Sequence, residues 1–123
     1  MYLIAKGECI VNIRDENNRM IKNHKILTQS DYFGEISMLY GCKRTATITS
    51  RKYSTLAKLT QKTYKEITTE FPEMVSALKK GIYKYNDRMK RFMKTSLKKI
   101  DFFSDLSDNE IHDVMYNMEL KNY

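Results

Sequence analysis

The chain has 123 residues, 41% of them hydrophobic, which is enough for one domain with a packed core and excludes a disordered chain. Its formal net charge of +7 is concentrated in residues 79–99, which hold nine basic residues and one acid, so the rest of the chain sums to −1. This local charge favours a solvated helix face over a nucleic-acid-binding surface, with a calmodulin- or lipid-contacting face as the alternative.

Several other classes of protein are disfavoured by the sequence. No hydrophobic run approaches the ~20 residues that a membrane span needs, and Met1–Ala5 is too short for the core of a signal peptide. Cys9 and Cys42 are far apart, with no second Cys or His near either, so we expect reduced thiols and neither a zinc site nor a disulfide. His24 and His112 are equally isolated. We therefore predict a cytoplasmic protein without a metal or cofactor.

The first sixty residues are predicted to form short β-strands. Tyr2–Ala5 and Glu8–Ile13 are rich in β-forming residues, and Lys6-Gly7 between them reads as a hairpin-type break. Asp15–Asn18 is a loop of turn-forming residues. Further strand candidates are Met20–Ile21, His24–Leu27, Thr45–Ser50 and Thr55–Leu59. Many short strands at close spacing predict a sandwich or barrel.

From Thr60 onward the pattern predicts helices. Thr60 is the expected N-cap of a helix that ends near Glu70, before the interruption at Phe71-Pro72. A second helix is predicted over 73–95, because apolar residues recur there at alternating spacings of four and three. These residues are Phe71, Val75, Leu78, Ile82, Tyr85, Met89 and Phe92. We expect this face to lie on the barrel, with an oligomer formed through a coiled coil of the 73–95 helix as the alternative.

The segment from Phe33 to Thr47 is the most informative about function. Gly34 opens a predicted short helix directly after a strand, where glycine allows close approach of an anion and the helix start presents unpaired N–H donors. Arg44 can hold phosphate oxygens in bidentate geometry, and Thr45 adds an amide and a hydroxyl. Glu35 fits beside an anion if the ligand also carries a ribose hydroxyl. These residues indicate a nucleotide pocket, with a structural arginine after a turn as the alternative.

This segment resembles the phosphate-binding cassette of the cyclic-nucleotide-binding domain family, F-G-E-[ILV]-[AS]-L-L…R-[TA]-A-[TSN]. The match comprises Phe33–Leu39 and Arg44–Thr47, and we call residues 33–47 the cassette. Segments 2–11, 53–59 and 71–74 are similar to the family's strands and closing helices. The resemblance implies an α+β, mainly β, fold: an antiparallel β-roll or jelly-roll barrel followed by C-terminal helices. It also implies that cAMP or cGMP is the ligand.

The resemblance assigns roles to the cassette residues. Gly34 and Glu35 are expected to meet the ribose, with Glu35 on the 2′-hydroxyl. Ser37, Arg44 and Thr45 are expected to hold the cyclic phosphate. The remaining contacts are apolar, from a wall residue that repacks on binding and from the final helix over the purine. The candidates for these two roles are Ile36 for the wall and Leu78, Ile82 or Tyr85 for the purine.

The resemblance also predicts how the chain is divided. The family places two strands and a short helix before Tyr2, so we expect an incomplete barrel with exposed edges. Residues 97–107 are similar to the family's opening segment, and Ser107–Glu110 fits a capping box. We predict a cyclic-nucleotide-binding domain over 1–95, and over 96–123 a linker and the opening helix of a second such domain. The expected partners are the nucleotide and neighbouring domains of the same polypeptide.

The predicted function is regulatory, and the chain is not expected to be an enzyme. No nucleophile–base pair, metal cluster or P-loop is visible in the sequence. Thr45 after the arginine, and the Phe71-Pro72 pattern, resemble cyclic-nucleotide-gated channels more than kinase regulatory subunits, which are the alternative. A nucleic-acid-binding transcription activator is a further alternative. It is disfavoured because only one short helix, with an acidic and apolar face, follows the long one.

Overall fold

About half of the first sixty residues lie in strands, with one short helix among them, and helices follow. The computed structural model of the protein describes residues 1–14, 19–85 and 88–118. The predicted loop Asp15–Asn18 lies outside the described residues. The strands are β1 Tyr2–Lys6, β2 Cys9–Arg14, β3 Met20–Leu27, β4 Tyr32–Phe33, β5 Thr47–Ser50 and β6 Thr55–Lys58. The helices are α1 Glu35–Tyr40, α2 Gln61–Glu70, α3 Glu73–Tyr83, α4 Arg88–Leu97, α5 Asp101–Ser104 and α6 Asp108–Asn117.

The strands form two antiparallel three-stranded sheets, in the orders β4-β1-β6 and β3-β2-β5. The predicted hairpin at Lys6-Gly7 is wrong, because β1 and β2 belong to different sheets. Gly7, at a φ of +96°, instead carries the chain from one sheet to the other. Met20–Ile21 and His24–Leu27 were expected as two pieces, and they form the single strand β3. The side chain of His24 lies outside the described part of the structure.

The two sheets enclose a small core and are not closed into a barrel, as expected for an incomplete barrel. Ile4, Cys9 and Leu27 are buried between the sheets, and the partly buried residues Val11, Phe33 and Ile48 pack against them. Alternate residues of a strand point to opposite faces, so each of β1 to β5 contributes only one or two residues to this core, and β6 contributes none. We call it the sheet cluster.

The first two helices after the sheets build a second hydrophobic cluster against α1. Met38 of α1, Tyr64 of α2 and Leu78 of α3 are its buried members, and we call it the helix cluster. The predicted N-cap of α2 is confirmed, because the Thr63 N–H donates to Thr60 Oγ1 at 3.2 Å. This cap satisfies one of the backbone donors that every helix start leaves unpaired. Packing of α2 and α3 on α1 therefore fixes the helix that follows Gly34.

The predicted single helix over 73–95 is wrong. Helix α3 ends at Tyr83, and α4 begins at Arg88. The Ile82 carbonyl, at the end of α3, accepts hydrogen bonds from the Tyr85 N–H and from Lys90 Nζ, both at 3.0 Å. Lys90 is only 5% exposed, so its ammonium serves as a buried cap for the carbonyls that end α3.

The apolar stripe that predicted one helix is consequently divided between two. Leu78 and Ile82 of α3 are buried, whereas Phe92 of α4 is 59% exposed. The side chain of Met89 lies outside the described part of the structure. A two-chain coiled coil needs one uninterrupted seam over several heptads. The division at Lys84 and Tyr85 removes that seam.

The C-terminal helices form a third hydrophobic cluster. Leu97, Ile111 and Met115 are its buried members, and we call it the C-terminal cluster. The predicted capping box is confirmed: the Glu110 N–H donates to Ser107 Oγ, and the Ser107 N–H donates to the Glu110 carboxylate. His112 is buried on α6, and its Nδ1 has no hydrogen-bond partner among the described residues.

Candidate functional site

The start of α1 is presented at the edge of a sheet. Strand β4 pairs with β1 through Phe33 and Tyr2, whose rings stack with centroids 5.3 Å apart. Gly34 follows directly as the N-cap of α1, at a φ of +78° that residues with a Cβ rarely adopt. The predicted order of strand, glycine and helix is therefore confirmed.

Arg44 folds back over this helix start. Its Nη1 donates to the Gly34 carbonyl at 2.9 Å and to Ser37 Oγ at 2.5 Å. Ser37 Oγ also donates to the Gly34 carbonyl at 3.4 Å. A Cβ placed on Gly34 would lie 2.7 Å from Arg44 Nη1, so the glycine is what permits this approach. The structure thus brings three of the predicted site residues together, with the arginine exposed.

Glu35 lies beside this group and is covered. The residue is only 2% exposed. Burial, together with the negative charge of Glu35, raises the pKa of Tyr85 above its usual value.

The other predicted site residues differ in exposure. Thr45 is exposed and Ile36 is half-buried. Ile82 is fully buried on α3, and Leu78 belongs to the helix cluster, so neither is open to a ligand in this arrangement. Tyr85, the third purine candidate, lies just after the end of α3 and is half-buried. The assignment of these residues as ligand contacts stays a prediction.

Sequence reasoning missed a polar network that joins the end of α1 to the C-terminal helices. The Asp113 carboxylate on α6 accepts hydrogen bonds from the Tyr40 hydroxyl at 2.6 Å, from Lys79 Nζ at 2.7 Å and from the Tyr83 hydroxyl at 3.0 Å. The rings of Tyr40 and Tyr116 stack beside it, with centroids 4.9 Å apart. Asp113 follows Tyr40 by 73 positions. No spacing rule connects residues so far apart.

The remaining candidate features are metal ligands, membrane-spanning helices, cysteines and cavities. Among the described residues, no group of three or more His, Cys, Asp or Glu side chains could hold a metal ion. None of the described helices is long and apolar enough to cross a bilayer. Cys9 and Cys42 are both free. A cavity of about 400 Å³ borders the Asp113 network, and its lining includes Tyr64, Thr68 and Asn117.

Comparison with known proteins identifies a family for most of the chain. Residues 1–70 match the sequence profile described as "Cyclic nucleotide-binding domain". The "Cyclic nucleotide-gated channel cone photoreceptor subunit alpha" of Gallus gallus is 37% identical over 84 residues, which cover 63% of this chain and 11% of that protein. The chain therefore spans only a small part of this relative.

Solved structures share the fold at lower identity. The regulatory domain of Toxoplasma gondii PKA, co-crystallised with cAMP, aligns over 94% of this chain and 38% of that one, at 21% identity and a TM-score of 0.52. The Thermus thermophilus catabolite activator protein aligns over 84% of this chain and 45% of that one, at 19% identity and a TM-score of 0.56. These similarities confirm the predicted fold class.

Proposed function

Because the chain belongs to the cyclic nucleotide-binding domain family, we propose that it binds a 3′,5′-cyclic nucleotide, cAMP or cGMP, through the cassette. The observation that carries the proposal is the Arg44 guanidinium, which lies over the start of α1 within the matched residues 1–70. An exposed cation beside unpaired helix N–H groups is the arrangement that a bound phosphate requires. No catalytic step is part of the proposal.

Each cassette residue is assigned to one part of the nucleotide. Arg44 exchanges its bonds to the Gly34 carbonyl and Ser37 Oγ for bonds to the cyclic phosphate, and Ser37 and Thr45 add a hydroxyl or an amide. Glu35 accepts a hydrogen bond from the ribose 2′-hydroxyl. These contacts draw the cassette inward, Ile36 repacks, and the helices after it close over the purine, with Ile82 or Tyr85 as the apolar contact. The nucleotide must bind the closed arrangement more tightly, since otherwise no population shift results.

We propose further that the chain is the regulatory part of a larger protein, a cyclic-nucleotide-gated channel, with this domain on the cytoplasmic face of the membrane. The support is the 37% identity over 84 residues to a channel subunit. Thr45 after Arg44 agrees with the same branch of the family. A kinase regulator remains the competing reading of the same nucleotide site.

We also propose that the chain consists of two units. Residues 1–95 form the nucleotide-binding unit, and 96–123 form a linker and the opening helix of a following domain. The capping box at Ser107, which begins α6, supports this division. Pairing of two chains through residues 73–95 is left out of the proposal, because the apolar stripe is divided between α3 and α4.

Titration with a fluorescent cyclic nucleotide tests the proposed ligand directly. We expect saturable binding in the micromolar range, with displacement of the probe by unlabelled cAMP or cGMP. The matched control is 5′-AMP, which has the same base and ribose without the cyclic phosphate, and it should not displace the probe at similar concentrations. Absence of saturation, or equal displacement by 5′-AMP, would contradict the proposal.

Gly34→Ala is expected to weaken nucleotide binding by about tenfold or more, which corresponds to about 1.4 kcal/mol. The added Cβ would meet Arg44 Nη1 at 2.7 Å and push the guanidinium away from the helix start. The matched control is Gly41→Ala, because Gly41 also has a positive φ, of +68°, but a Cβ there meets nothing within 4 Å. Both variants should lose roughly 1 kcal/mol of stability through backbone strain. Only Gly34→Ala should weaken nucleotide binding. An equal loss of affinity in both variants would mean that the phosphate does not bind at the start of α1.

A further inference from the structure

The Asp113 network connects the two proposed units at the end of the cassette helix. Tyr40 is the last residue of α1, and its hydroxyl donates to the Asp113 carboxylate on α6 at 2.6 Å. The rings of Tyr40 and Tyr116, which is also on α6, stack with centroids 4.9 Å apart. Lys79 and Tyr83 of α3 donate to the same carboxylate, at 2.7 and 3.0 Å. Because a carboxylate can accept several donors, one side chain of α6 holds both α1 and α3.

This contact is polar and partly exposed, unlike the contacts that hold α6 to α4 and α5. The described members of the C-terminal cluster all lie between Met93 and Met115, so none of them comes from α1 or from a strand. In the network, the side chains of Lys79 and Asp113 are 32% and 34% exposed. A partly hydrated polar contact costs less to break than a buried one, because water replaces the lost partners. The contact between α6 and α1 can therefore form and break while the C-terminal cluster stays packed.

The network holds α1 in an arrangement in which the cassette binds its own arginine. Arg44 Nη1 donates to the Gly34 carbonyl at 2.9 Å and to Ser37 Oγ at 2.5 Å. In the proposed function, the cyclic phosphate takes Arg44 from both groups. Gly34 is the N-cap of α1, and Tyr40 ends this helix of six residues. Such a short helix moves largely as one piece, because backbone hydrogen bonds join its turns. Displacement of its start by the nucleotide therefore also displaces Tyr40.

We propose that α6 docks on the cassette through Asp113 and that this contact opposes nucleotide binding. Asp113 holds Tyr40, and with it α1, in the arrangement in which Arg44 is bonded within the cassette. Binding of the nucleotide moves α1 and separates Tyr40 from Asp113. The inference rests on the proposed function and adds to it a contact between the two units. Coupling between two sites is reciprocal, so the contact weakens nucleotide binding by the same factor by which the nucleotide weakens the contact.

Tyr40→Phe tests this contact, because it removes one hydroxyl and keeps the ring that stacks on Tyr116. We expect the affinity of the variant for a fluorescent cyclic nucleotide to rise about three- to tenfold. A hydrogen bond to a charged acceptor that is partly exposed to solvent has a free energy in this range. The gain has the opposite sign to the loss that removal of a ligand contact produces, which distinguishes Tyr40 from a residue that touches the nucleotide.

The matched control is Asp108→Asn, a substitution on the same helix. Asp108 pairs with Lys94 at 2.6 Å and with Lys98 at 3.2 Å, so its replacement removes ion pairs of α6 and leaves the bond between Tyr40 and Asp113 in place. Its affinity for the nucleotide should equal that of the wild type. A gain as large as that of Tyr40→Phe would mean that any weakening of the contacts of α6 raises affinity, and would overturn the role of the Tyr40–Asp113 bond.

Hydrogen exchange provides a second measurement, which needs no substitution. We expect saturating cyclic nucleotide to accelerate amide exchange in α6 of the wild type, because loss of the bond to Tyr40 makes local opening of this helix easier. The same concentration of 5′-AMP should have no effect. In Tyr40→Phe, α6 should exchange faster before nucleotide is added and should respond less to it. Unchanged or slower exchange of α6 in the wild type at saturation would overturn the proposed opposition.

The outcomes separate this inference from the proposed function. If the wild type binds the nucleotide and Tyr40→Phe binds it equally or more weakly, α6 does not oppose binding, and the inference is overturned while the nucleotide site stands. If the wild type binds no cyclic nucleotide, the proposed function fails and this inference fails with it.

Discussion

Arg44→Ala is expected to weaken cyclic-nucleotide binding by about 30-fold to several thousand-fold, which corresponds to about 2–5 kcal/mol. The side chain supplies the positive charge over the start of α1, and its removal leaves the cyclic phosphate without a charged partner in the cassette. Its present hydrogen bonds, to the Gly34 carbonyl and Ser37 Oγ, are exposed to solvent. Stability should therefore change far less than affinity. Titration of a fluorescent cyclic nucleotide, together with thermal unfolding, measures both.

Two further variants sharpen this result. Arg51→Ala removes a surface arginine that pairs with Glu8 at 3.1 Å, with both side chains about half exposed, and it should leave affinity unchanged. Glu35→Ala should weaken binding less than Arg44→Ala, because a hydrogen bond to a ribose hydroxyl is weaker than an ion pair with a phosphate. If Glu35→Ala had the larger effect, the phosphate would have to lie elsewhere in the cassette.

Asp113→Ala is expected to lower the free energy of unfolding by about 2–3 kcal/mol. The substitution removes the acceptor that Lys79, Tyr40 and Tyr83 share, and with it the hydrogen bonds that connect α6 to α1 and α3. This expected loss in the free energy of unfolding is small for the disruption of a charged hydrogen-bond network. Lys79 and Asp113 are each about one-third exposed, so solvent screens their attraction. Denaturant unfolding of the wild type and the variant measures the difference.

The matched control for this variant is Asp108→Ala on the same helix. Asp108 pairs with Lys94 at 2.6 Å and with Lys98 at 3.2 Å, but it is 58% exposed, so its removal should leave the free energy of unfolding close to the wild-type value. A similar loss of stability in both variants would mean that α6 is stabilised by its overall negative charge and not by the hydrogen bonds to Asp113.

The pH dependence of stability gives an independent check on Asp113. Burial alone would raise the pKa of this carboxyl, but hydrogen bonds from Lys79, Tyr40 and Tyr83 lower it below its ordinary value. A pKa that is lower in the folded state stabilises the fold above the unfolded pKa, and this stabilisation is lost as the pH falls through the folded pKa. We expect part of the acid destabilisation of the wild type to be absent from Asp113→Ala.

Features that depend on neighbouring residues could be predicted from the sequence. Thr60 and Ser107 were recognised as helix caps because each cap is a contact between residues three positions apart. Gly34 was placed at the start of a helix because the strand before it and the helical residues after it are local patterns. The cassette motif extended this local information to the fold, since it is typical of one family.

Features that depend on long-range contacts could not be predicted. The division between α3 and α4 involves Lys90, whose side chain turns back to the Ile82 carbonyl, and a periodicity count does not register such a contact. The Tyr40–Asp113 bond joins residues 73 positions apart. The false hairpin at Lys6-Gly7 has a similar cause, because pairing partners of β1 lie in β4 and β6.

Because the interior is divided into three clusters, the free energy of local opening differs along the chain. The C-terminal cluster is assembled from residues close together in sequence, including Leu97 and Ile111, whereas the sheet cluster joins residues as distant as Ile4 and Ile48. A unit whose hydrophobic contacts are local can open and reclose while the sheets stay intact, once the Asp113 hydrogen bonds to Tyr40, Lys79 and Tyr83 are broken. Amide protons of α4–α6 should then exchange with solvent sooner than those of β1 and β2. A protease that requires an extended substrate would cut the chain first in this region, and the excised N-terminal part would retain both sheets.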